Sequence, residues 1–178
     1  MYQRTKIYLE HDIGLYACHL PLDAHPEVWN NDWLAQARCN LFGITEYEQE
    51  PFGWYGKEII GTALRFETKI PTVGILTPYC ERMWLQRQFL NFGRHEYISS
   101  VAFVSWEWWA FIQEAYKKWI DLFITGEMVH RQTTLAKELG QSVLLWWHYE
   151  TEKIGVKLLG KHLEKKFGVE TVFLDEKR

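Results

Sequence analysis

The sequence predicts an α/β fold, with mainly parallel or mixed sheet layers and packed helices. Two observations carry that expectation. From residue 99 onward, short β-branched and aromatic runs, SSVAFVS (99–105), IDLFIT (120–125) and SVLLWW (142–147), alternate with helix-length segments. Glycines at 140 and 168 then stand where helix C-termini need a left-handed residue. At 178 residues the chain is long enough to bury a real core.

In order along the chain, the segment up to Glu10 predicts the end of a helix. IGLYACH (13–19) suits a buried strand, and PLDAHPE after it a loop. Asn30 and Asn31 offer caps for a helix through DWLAQARCNLF, stopped by Gly43. EYEQEPFGWYG is polar and turn-rich. EIIGTALRFE (58–67) predicts a strand with Gly61 as a bulge, and 78–90 a helix followed by the loop NFGRHE. WAFIQEAYKKW and VHRQTTLAKEL predict helices between the C-terminal strands. A long helix, YETEKIGVKLLGKHLEKKF, follows the last of them, with Ile154, Leu158, Leu159, Leu163 and Phe167 as its apolar stripe. VETVFL (169–174) closes the chain. No repeat, low-complexity tract or linker interrupts the pattern.

Composition excludes several function classes. A net charge of −3, from 20 basic and 23 acidic residues, gives no pull toward anionic lipid and makes a nucleic-acid partner a poor expectation. No apolar run reaches the ~18 residues a spanning helix requires, and the N-terminus lacks the apolar region of a signal peptide. Cys18, Cys39 and Cys80 are scattered and odd in number, which predicts reduced thiols and a cytoplasmic protein. Ten tryptophans are the one abnormal count; each is large and wants a partner for its indole N–H.

Three constellations could carry chemistry. His19, Asp23 and His25 cluster in HLPLDAHPE after the first predicted strand, where α/β folds gather ligands, and a carboxylate with imidazoles suits a divalent metal. A polar loop whose Asp caps the next turn is the plainer account. In WHYETE, His148 and Glu152 are four apart at the start of the last helix, so both fall on one face; an acidic residue in a first turn is also ordinary helix-end electrostatics. In FITGEMVH, Glu127 and His130 are the candidate catalytic pair, against capping for Glu127 and an exposed helix position for His130.

Taken together, YACHLPLDAHPEVWNN, LFITGEMVH, HYETEKIGVKLL and FGVETVFLD resemble the NIF-three-like family, also called GTP cyclohydrolase I type 2 homologues, in order and spacing. The resemblance covers residues 1–45 and 100–178 as the α/β core, with 46–99 a less well matched intervening segment of one compact unit. It implies two α/β lobes around a dinuclear metal centre, and a homo-oligomer, either a dimer or a ring-shaped hexamer. It implies divalent metal ions, up to two, held by Asp23, His148 and Glu152, with Glu152 as the bridging carboxylate. His19 and Glu127 are implied as partners of those ligands, His19 close enough to count among the metal-binding residues. The implied chemistry is a metal-activated water attacking an electrophilic carbon, as in opening the guanine ring of a GTP-like nucleotide.

Two departures from the family pattern point to an alternative function, a non-catalytic oligomeric scaffold or binding protein. The resemblance begins partway into the family's length, and its pair of adjacent histidines has no match, since no His-His dipeptide occurs. Two ions would then need water or another chain to complete their shells. Tryptophan also stands where the family carries glycine or another small residue, at Trp29, Trp106, Trp108, Trp109, Trp119, Trp146 and Trp147. Where glycine supplies positive φ, an indole brings strain, and indoles around one cleft would fill it.

Overall fold

A computed structural model describes residues 2–23, 25, 43–73, 88–105, 110–146 and 148–175. The helix expected through 32–42, most of that expected over 78–90, and tryptophans 29, 33, 84, 106, 108, 109 and 147 lie outside the described residues. The described elements are α1 (Tyr2–Glu10), α2 (Leu20–Asp23), β1 (Glu48–Tyr55), β2 (Glu58–Pro71), β3 (Gln88–Leu90) and β4 (Tyr97–Val104). They continue as α3 (Ala110–Lys117), β5 (Leu122–Thr125), α4 (His130–Leu139), β6 (Ser142–Leu145) and α5 (His148–Phe167).

The strands form one sheet in the order β1-β2-β4-β5-β6-β3. β4, β5 and β6 are parallel, as helical crossovers between consecutive strands require. β1–β2, β2–β4 and β3–β6 are antiparallel, so the sheet is mixed. The central strands are buried on both faces. Val101, Phe103, Leu122, Ile124 and Leu144 face one core, which includes Trp146 and packs against Ile154 of α5. Ala102, Val104, Phe123 and Val143 face the other, with Phe111, Ile112 and Ala115 of α3 and Ala136 of α4. Strands buried on both sides read as continuous apolar runs, which is why this half of the fold was visible in the sequence.

Four expectations are corrected. Residues 13–19 are not a strand; Ile13, Leu15 and Tyr16 are exposed and no strand among the described residues pairs with them. The polar stretch around residue 50 is β1, an edge strand that tolerates Pro51, with fully buried Phe52 as its anchor. It turns into β2 through Gly56 and Lys57, and Gly56 at φ +63 takes the first central position of a two-residue turn. Gly61 is not a bulge. It pairs with Phe52 in a ladder whose register does not shift, and the register of β2 against β4 shifts only between Arg65 and Ile70. Glycine is needed there because a Cβ would lie 2.6 Å from Val104 Cγ2 and 2.8 Å from the Phe103 carbonyl oxygen. Finally, residues 88–90 extend the sheet as β3 against β6 and do not end a helix.

The helix ends follow the expected chemistry with one exception. Gly140 closes α4 at φ +68; its own N–H reaches the Lys137 carbonyl, and the Gln141 N–H reaches that of Ala136. α3 ends in the same pattern, the Trp119 N–H on Tyr116 and the Ile120 N–H on Ala115, with Trp119 in glycine's place at φ +56. The apolar stripe of α5 is only partly covered. Ile154 packs on the core, Leu159 and Leu163 line a groove shared with Thr171–Phe173, and Phe167 is exposed.

Candidate metal centre

Adjacent parallel strands aim their C-terminal loops at one place. The Trp146 N–H, just past β6, donates to the carbonyl of Thr125, the last residue of β5, at 2.8 Å and ties the starts of the two loops together. Two residues beyond that bond on each strand stand Glu127 and His148. His148 opens α5, and one turn on, Glu152 lies on the same face, with His148 Nε2 2.8 Å from Glu152 Oε1. Thr151, fully buried, donates its hydroxyl to the His148 carbonyl at 2.8 Å and braces this first turn.

The third member comes from the other end of the chain. His19 precedes the single turn of α2, where its carbonyl accepts the N–H groups of Leu22 and Asp23. Its Nε2 lies 3.2 Å from Glu152 Oε1, across 133 residues of sequence. Two imidazoles therefore converge on one carboxylate oxygen. Donor atoms of His19, His148 and Glu152 all fall within 4.8 Å of one another. Around a tetrahedral cation with bonds of about 2.0–2.1 Å, neighbouring donors are roughly 3.3 Å apart. The 2.8 and 3.2 Å separations would open only slightly to accept an ion. The donor set, two imidazoles and a carboxylate, fits a divalent metal.

Asp23 is buried, its Oδ2 3.6 Å from the same His19 Nε2 that faces Glu152, and it is outside the three-residue cluster. Glu127 Oε1 is 3.7 Å from the second nitrogen of His148, Nδ1. His130 opens α4, is exposed, and is likewise outside the cluster; its carbonyl accepts the Thr134 hydroxyl. His25 lies in edge contact with His162 of α5, ring centroids 6.3 Å apart, and is not in the cluster. Of the described tryptophans, Trp54 and Trp119 are exposed and Trp146 packs in the core, so none of these indoles separates the clustered donors.

The sequence model of the Duf34/NIF3 (NGG1p interacting factor 3) family matches residues 1–178. The chain belongs to that family. DUF34/NIF3 relatives named GTP cyclohydrolase 1 type 2 homolog include those of Pyrococcus horikoshii, 40% identical over 175 residues, and Archaeoglobus fulgidus, 38% identical over 173. Each alignment takes in 97% of this chain and 66% of the relative, so the chain spans just under two thirds of their length. Among solved structures, the protein ybgI, described as of unknown function, is similar with a TM-score of 0.80 and 27% identity, over 98% of this chain and 66% of that one. TTHA1606 from Thermus thermophilus is similar with a TM-score of 0.75 and 30% identity, over 99% and 66%. No helix among the described residues is long and apolar enough to cross a membrane.

Proposed function

We propose that this DUF34/NIF3 chain binds a divalent cation through His19, His148 and Glu152, and that the site serves hydrolysis of a GTP-like nucleotide. The observation that supports the reading is the convergence of two imidazole Nε2 atoms on Glu152 Oε1 from segments 133 residues apart. Without a cation, that oxygen is shared between two ring nitrogens. With one, both imidazoles and the carboxylate would hold the ion, which could then take water or substrate as a further ligand. A cation held there would polarise an electrophile and activate a water near neutral pH.

The chain's own residues do the rest. Glu152 supplies the anionic donor between the two imidazoles, and Thr151 fixes the turn that carries both α5 donors. Asp23 places a buried carboxylate on the same side of His19 as the site, where it would serve as a further ligand or a ligand to a second ion. The relatives' name supplies the substrate class. The test is metal content of the purified protein, Kd for zinc, cobalt and manganese, and GTP turnover with and without chelator. A wild-type protein that binds none of the three ions in solution would refute the metal site. One that binds them and leaves GTP untouched refutes the substrate alone.

A further inference from the structure

Glu127 has a second task available, and its position shows which one it takes up. It could cap α4, but the cap is at Val129, whose N–H is already met by the Gln132 side-chain oxygen at 2.6 Å. Gln132 is itself fully buried and fixes the exit of the loop. The loop's entry is fixed by the Trp146–Thr125 hydrogen bond. Glu127 is thus held from both sides, and its carboxylate faces His148 Nδ1 at 3.7 Å, about half an ångström beyond hydrogen-bond reach. The opposite nitrogen of that ring, Nε2, points at Glu152.

A histidine that gives one nitrogen to a metal commonly donates the other N–H to a carboxylate, which fixes the tautomer and the ring plane. We propose that Glu127 is a positioning residue for the metal site, accepting the Nδ1–H of His148 so that Nε2 is kept as the donor. The inference rests on the proposed cation site and adds to it a residue that touches neither ion nor substrate. Closing the remaining half ångström takes a small side-chain adjustment by Glu127, whose side chain is 55% exposed and has room to move.

The experiment measures cobalt and zinc affinity by calorimetry, the cobalt absorption spectrum, and the His148 ring signals of the zinc-loaded protein by NMR. The proteins are wild type, Glu127→Gln and Glu127→Ala. In wild type, His148 binds through Nε2 and carries a proton on Nδ1. Glu127→Ala weakens affinity about ten-fold, the lower end of what loss of such a partner costs. Glu127→Gln, which keeps an acceptor oxygen, recovers most of it. The cobalt bands stay in place in both variants, and the metal-free melting temperature is unchanged. Unaltered affinity in Glu127→Ala overturns the proposal, as does metal bound through Nδ1 in wild type. Shifted cobalt bands would make Glu127 a direct ligand and overturn its positioning role. Absence of binding in wild type removes the cation site and this inference with it, an outcome distinct from a loss confined to the variant.

Discussion

Replacing Trp119 with glycine should stabilise the protein, and the amount can be worked out from its surroundings. Trp119 sits at φ +56, where a Cβ crowds the following carbonyl; a non-glycine residue there costs ~1–2 kcal/mol. The indole returns little. It is 81% exposed, no more hidden than in a realistic unfolded chain, which already buries roughly 10–40% of its surface. Its one described ring neighbour is Tyr116, centroids 6.4 Å apart. Against relief of strain stands the added freedom glycine gives the unfolded chain, ~0.4–1 kcal/mol. The difference is a gain of about 0.8 kcal/mol, or roughly 2 °C in melting temperature for a chain of this size. Urea unfolding checks it, with the midpoint rising by about 0.4 M at unchanged slope. Trp119→Ala is the control, since alanine keeps the positive-φ penalty and should show no gain. If Trp119→Ala stabilised as much as Trp119→Gly, the benefit would come from losing an exposed indole, and the backbone argument would be wrong.

Three further outcomes follow from other parts of the structure. Gly61→Ala should cost about 3 kcal/mol by urea melt, because its Cβ would press on Val104 and on the Phe103 and Phe52 carbonyl oxygens at 2.6–2.9 Å; a cost under about 1 kcal/mol would mean that the strands part easily. Zinc at about a hundred times its Kd should stabilise by ~2.7 kcal/mol, reversibly with chelator, and His148→Ala should respond to neither. The Glu164 carboxyl is held below its ordinary range by the Thr171 hydroxyl and amide, at 2.6 and 3.2 Å. A depressed carboxyl stabilises fully above its unfolded value, about 4.3, and the benefit is lost as pH falls through the folded value. Protection of the Thr171 amide against hydrogen exchange, taken relative to its intrinsic rate at each pH, should therefore fall as Glu164 protonates below the ordinary carboxyl range in wild type and show no such acid step in Glu164→Gln; identical profiles would dissociate the tail from that carboxylate.

The central strands, the part of the sheet most legible in sequence, share one property: both of their faces are buried. The runs at 99–105, 120–125 and 142–147 are apolar without alternation because helices cover one side of the sheet and a second core the other. β1 was hidden because an edge strand can carry Pro51, Gly53 and charged outward residues while only Phe52 is needed inside. β3 is three residues long and borrows its identity from β6, which no local pattern reveals. Residues 13–19 misled in the opposite sense, being apolar yet exposed. At the site, the four-residue spacing of His148 and Glu152 was visible as a shared helix face. The approach of His19 was expected only from the family resemblance, because local spacing cannot bring together groups 133 residues apart. The two described tryptophans expected at small-residue positions of the family divide: Trp119 occupies a glycine conformation, while Trp146 is buried and contributes to a core.

The distance along the chain between His19 and Glu152 also bears on how the N-terminal part is tethered. α1 buries no side chain of its own, and residues 11–17 lie exposed. Among the described residues, buried Leu22 and Asp23 and the contacts of His19 and His25 with α5 tie this arm to the rest. An ion shared by His19 and α5 would act as a cross-link closing a loop of most of the chain, and long loops are where such a clasp restricts the unfolded ensemble most. Chemistry and mooring would then reside in the same three side chains, and stripping the ion would loosen the arm before it disturbed the sheet.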